Sequence, residues 1–140
     1  MISAERPDIL ALGLEQQAIV RQMHHPKLLD HFRNPRNAGE LEGADAVVEV
    51  SNPVCGDILK LSVQLRDGRV AAARFKCRGC VASMACASAL TDLLQGLDLA
   101  GMKALSTAAV EEAVGELPAA GKHAALLAVD ACRAAAAGSC

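Results

Sequence analysis

The sequence predicts an α+β fold, a three-stranded, mainly antiparallel sheet packed against helices. Three observations carry this: apolar residues recur at helical spacing before residue 33, alternate with period two between residues 46 and 77, and return to helical runs beyond residue 80. Ile9, Leu12, Ile19, Val20 and Met23 predict an amphipathic helix between Pro7 and Pro26. A short second helix covers Lys27 to Phe32, and Asn34-Pro35-Arg36-Asn37-Ala38-Gly39 has the chemistry of an ordered loop.

The strands come next. Ala46 to Val50 is rich in valine, while Leu59, Leu61, Val63 and Leu65 alternate with Lys60, Ser62 and Gln64, as on a strand with one buried face. Arg66-Asp67-Gly68-Arg69 supplies a hairpin turn, and the return strand runs from Val70 to about Cys77. Val81 to Gln95 holds no proline or glycine and reads as a helix ended by Gly96. A further helix near Thr107 to Val114 takes Ser106 as its N-cap, and the alanine-rich stretch from Ala119 to Ala137 predicts the last one. The chain thus divides into an N-terminal helical extension over 1–25 and a single domain over 26–140.

Composition narrows the function classes. With 140 residues and a formal charge of −2, the chain has no basic footprint for nucleic acid, and it lacks Trp and Tyr for stacking on bases. No apolar stretch approaches the roughly 20 residues of a membrane span, and the first residues do not resemble a secretory signal. The six cysteines lie among alanine and leucine runs rather than in a loop-rich disulfide framework, so a reducing, cytoplasmic setting is expected.

Asn52-Pro53-Val54-Cys55-Gly56-Asp57 joins a thiol and a carboxylate across one glycine. In an extended segment Cys55 and Asp57 point to the same side, which suits a chelate; a turn with Cys55 merely buried explains the hexapeptide equally well. Cys80 falls where a strand gives way to a helix, whose free amides stabilise a thiolate, although a small residue buried at the junction would look the same. Cys77 and Cys80 form a Cys-x-x-Cys, but Cys77 shares a strand side with Ala73 and Phe75 and reads as a buried cysteine. His123 opens the last helical run. Cys55, Asp57, Cys80 and His123 together offer two thiolates, a carboxylate and an imidazole, a set that zinc and iron–sulfur clusters accept. His24, His25 and His31 read as a solvated face without a metal.

These residues resemble the U-type iron–sulfur cluster assembly scaffolds, the IscU and NifU N-terminal domain group. The likeness runs from about His24 to Ala134. It rests on Asp30 to Gly39, Asn52 to Asp57, Arg74-Phe75-Lys76 with Gly79-Cys80, Thr91-Asp92, and Leu117-Pro118 with His123. It implies a scaffold-like α+β domain, without enzymatic turnover, that receives sulfur from a cysteine desulfurase, assembles a transient [2Fe-2S] cluster and passes it to apo-proteins. Cys55, Asp57, Cys80 and His123 take the family's ligand positions, and Zn2+ is the alternative occupant. A frataxin-like protein or a ferredoxin is a further candidate partner.

The chain departs from that pattern twice. Ala124 stands where family members usually carry a third site cysteine beside the histidine. Cys132 is a poor replacement, about 12 Å along the helix axis and about 80° round it. Cys140 follows a helix ending about 20 Å from His123, beyond the reach of four extended residues at about 14 Å. Cys77 is left as the nearest spare thiol. The missing cysteine opens two alternatives to a full scaffold: a zinc-dependent sulfur acceptor that stimulates a desulfurase, or a regulatory scaffold that only occupies a desulfurase. Leu117-Pro118-Ala119-Ala120-Gly121 also lacks the Pro-Pro-Val-Lys segment of many relatives, so an Hsp70 chaperone partner is not expected.

Overall fold

A computed structural model describes residues 25–52, 56–117 and 119–138. The helix expected before Pro26 and the thiols of Cys55 and Cys140 lie outside these residues. Helix α1 (Pro26–Arg33) starts with proline, whose missing N–H costs nothing in a first turn, and His25 Nδ1 caps it by accepting from the Lys27 amide at 3.0 Å. Strands β1 (Ala46–Asn52), β2 (Asp57–Arg66) and β3 (Arg69–Arg78) form one antiparallel sheet in the order β1-β2-β3. Asp67 (φ 54°) and Gly68 (φ 77°) both adopt positive φ, the requirement of the tight turn expected there.

Leu59, Leu61 and Val63 of β2 and Ala73, Phe75 and Cys77 of β3 are buried under the helices that cover one face of the sheet. Helix α2 (Val81–Leu94) is the centre of that layer. Eleven of its 14 residues are buried, so its polar side chains need internal partners. Small side chains let α1 and the last helix approach it closely. Ser88 Oγ lies 2.8 Å from His31 Nδ1 and accepts from the Arg36 amide at 2.8 Å, and Thr91 Oγ1 donates to the Ser88 carbonyl at 2.7 Å.

His31 therefore corrects the sequence reading. It is 8% exposed and holds a partner on α2, rather than belonging to a solvated face, and burial pushes its imidazole below the ordinary value of 6.5. His25 is exposed, as expected, and His24 lies outside the described residues.

Helix α3 (Leu99–Ala104), with Asp98 as its cap, was not anticipated; six residues around Gly101 are too short to show a period. Helix α4 (Thr107–Ala113) is capped by Ser106 as expected. The last helix starts three residues later than its composition suggests. A 3₁₀ turn occupies Ala119–Gly121, and α5 runs over Lys122–Gly138. No helix among the described residues is long and apolar enough to cross a membrane.

Candidate metal centre

One end of the sheet gathers three of the residues the sequence singles out. Asp57 is the first residue of β2, set by Gly56 at φ 74°, whose amide donates to the Asn52 carbonyl at 2.7 Å. Cys80 follows β3 and is the N-cap of α2, its Sγ accepting from the Ser83 amide at 3.4 Å. His123 is the second residue of α5. One ligand atom from each lies within 4.8 Å of the others. His123 Nε2 is 3.2 Å from Asp57 Oδ2 and 3.9 Å from Cys80 Sγ, and Cys80 Sγ is 3.7 Å from Asp57 Oδ2.

Two neighbours fix this geometry. Asp57 is only 4% exposed, and its Oδ2 accepts from Ser83 Oγ at 2.5 Å; the same hydroxyl lies 3.3 Å from Cys80 Sγ. Ser83 thus ties the carboxylate to the thiol. The sequence reading did not single it out, although its place three residues after the capping Cys80 was a local signal. Gly79 gives Asp57 its room: a β-carbon there would stand 2.6 Å from Asp57 Oδ1 and 2.7 Å from its Cγ.

A thiolate, an imidazole and a carboxylate on converging elements suit Zn2+ or an iron site, and the buried carboxylate lacks any Lys or Arg partner among the described residues. Cys80 is exposed and open to such a partner. The other described thiols are withdrawn. Cys77 faces the core, where burial pushes its thiol up to about 12, helped by the charges of Asp57 and Cys80. The sequence reading of Cys77 as a spare thiol for the site is therefore corrected; its reading as a buried strand cysteine holds. Burial likewise pushes Cys86 up to about 12 and Cys132 up to about 11, the latter donating to the Met102 carbonyl at 3.2 Å. Ala124 is buried beside His123 and adds no ligand.

A helix-backed, three-stranded antiparallel sheet with three side chains able to ligate a metal at one end defines a small α+β domain. The chain belongs to the family of the NifU-like N-terminal domain, whose model matches residues 23–138. It is 40% identical over 111 residues to the iron–sulfur cluster assembly scaffold protein IscU 1 of Archaeoglobus fulgidus, an alignment covering 79% of this chain and 72% of that protein. The nitrogen fixation protein NifU of Cereibacter sphaeroides is 50% identical over 93 residues, 66% of this chain and 38% of the relative. The mitochondrial iron sulfur cluster assembly protein 2 of Saccharomyces cerevisiae is 36% identical over 121 residues, covering 82% and 76%. The fold also matches the crystal structure of a putative iron–sulfur cluster assembly scaffold protein from Fervidobacterium islandicum, with a TM-score of 0.66, 15% identity and coverage of 82% of this chain and 97% of that one. U-type iron–sulfur cluster assembly scaffolds are thus the group to which this chain belongs.

Proposed function

We propose that this chain receives sulfur from a cysteine desulfurase, builds a [2Fe-2S] cluster as cargo, and hands it to apo-proteins. The observation that carries this reading is the convergence of Asp57, Cys80 and His123 within 4.8 Å at one end of the sheet. Asp57, Cys80 and His123 would hold the cargo, with Cys55 as the fourth ligand. Cys80 is the described thiol that can take up sulfur, since it alone among the described cysteines is exposed. Asp57 is the hard donor in a soft set, which weakens the hold on iron and favours release. A cluster that leaves an Asp57→Ala variant no more slowly than the parent would remove that role.

Ala124 favours a second reading. With one thiol fewer, the same residues suit zinc, and the chain would act as a zinc-holding sulfur acceptor for the desulfurase. Anaerobic reconstitution with iron, cysteine and a desulfurase, run beside Ala124→Cys and followed by visible absorption and iron and sulfide analysis, separates the two. Cluster scaffolding predicts a coloured product in both, with faster or fuller loading in Ala124→Cys. A colourless, zinc-only native protein would overturn it in favour of the second reading.

A further inference from the structure

We infer that the outer edge of β1 is a docking site for an extended segment of a recipient protein, which adds to the sheet as a fourth strand. This goes beyond the metal centre but rests on the proposed transfer role for the identity of the partner.

The two edges of the sheet are unlike. The outer edge of β3 is covered: the Gly39 amide donates to the Phe75 carbonyl at 2.8 Å, Phe75 donates back to Asn37 at 3.0 Å, and Val70 exchanges bonds with Gly96 and Leu97. Among the described residues, the outer edge of β1 has no such cover. Residues 46–51 make no backbone hydrogen bond beyond their ladder with β2 among the described residues. An open row of amides and carbonyls pairs readily with another strand, and natural edges usually prevent this with proline, lysine or a bulge. Ala46-Val47-Val48-Glu49-Val50-Ser51 has none of these, and its valines favour strand pairing.

Side chains around the edge fit an apolar strand. Val48 and Val50 face the core yet stay half-buried, while Leu61 and Leu59 opposite them are 0% and 1% exposed. The two large exposed apolar residues of the described chain, Val47 (52%) and Leu126 (51%), lie on β1 and on α5, which packs against β1. A cavity of about 170 Å³ lies beside Leu126 at the far end of β1, lined by Ser51, Asn52, Leu126, Leu127, Asp130 and His123. A strand laid on β1 would cover Val48 and Val50 and pass beside a residue of the metal centre.

Charge selects the partner. Glu49 is the one charged side chain of β1, so the added strand should carry apolar residues inward and a basic residue opposite Glu49. A second copy fits poorly, because symmetric pairing centred on the strand sets Glu49 against Glu49.

The test uses the full chain and an acetylated, amidated hexapeptide that alternates valine with lysine and threonine. Amide hydrogen exchange at residues 46–51 should slow at least about tenfold with saturating peptide. Glu49→Lys should weaken binding about fivefold or more and transfer preference to the matching glutamate peptide. No slowing at millimolar peptide, slowing elsewhere, or an unchanged preference in Glu49→Lys would overturn the inference, as would equal protection in a peptide-free dimer. Zinc titration of the same samples keeps the two readings apart. Parent and Glu49→Lys should bind zinc alike, and a parent that binds neither zinc nor cluster would refute the scaffold role, not the docking edge.

Discussion

Replacing Gly79 with alanine tests the geometry of the metal centre most directly. Gly79 does not sit at positive φ, so its backbone tolerates a side chain; the added methyl acts through contact alone. At 2.6 and 2.7 Å from Asp57 Oδ1 and Cγ, and 3.1 Å from its Cβ, the carbon overlaps the root of a short, buried side chain. Asp57 cannot swing clear by a distal rotation and must leave its place. Leaving breaks the bond from Ser83 Oγ, a hydrogen bond to a charged group whose net worth is about 1.5–3 kcal/mol. At about 3 °C per kcal/mol for a chain of this size, Gly79→Ala should melt about 5–9 °C lower. Misplacing a ligand should also weaken zinc binding roughly 10–100-fold, the scale seen when groups that orient ligands are removed. Thermal unfolding of the metal-free protein and competition with a chromophoric chelator measure the two effects separately. A variant that melts within 1 °C of the parent, by that ~3 °C per kcal/mol scale, and binds zinc equally well would show that Asp57 is not held as described.

Two further predictions concern groups away from the ligands. The imidazole of His31 is lowered by burial, so it is neutral in the fold and takes up a proton more readily once unfolded. Its contribution to stability is complete above pH 6.5 and is lost as pH falls through the depressed folded value. Urea midpoints between pH 7.5 and 5 should fall in the parent and fall less steeply in His31→Asn; identical slopes would contradict the burial. In native protein at pH 8, iodoacetamide mapped by mass spectrometry should label Cys80 but leave Cys77, Cys86 and Cys132 unmodified. A thiol pushed up to about 12 is ionised in only about one molecule in ten thousand there, and labelling of Cys77 at the rate of Cys80 would refute its core position.

Local chemistry made much of the fold legible. The change to period two marks β2 and β3, Asp67-Gly68 can hardly be anything but a tight turn, and Ser106 announces α4. The position of Cys80 at a strand-to-helix junction is likewise written locally, and His123 can be placed near the start of α5. What stayed hidden depends on contacts across the chain. His31 meets Ser88 57 residues away, and Ser83 meets Asp57 26 residues away; neither pairing leaves a periodic trace. Cys77 misleads for the same reason, because its spacing to Cys80 says nothing of a chain that turns from strand to helix between them.

Asp57 and His123 meet across 66 residues of sequence, and His123 belongs to the last helix of the described chain. During synthesis the site is therefore completed only after every strand has been made and α5 has begun to dock. A nascent or truncated chain that stops short of residue 123 exposes thiols without the imidazole that closes the set. Convergence of Asp57, Cys80 and His123 is in this sense a mark of maturity: it exists only in a molecule whose sheet and last helix have already come together.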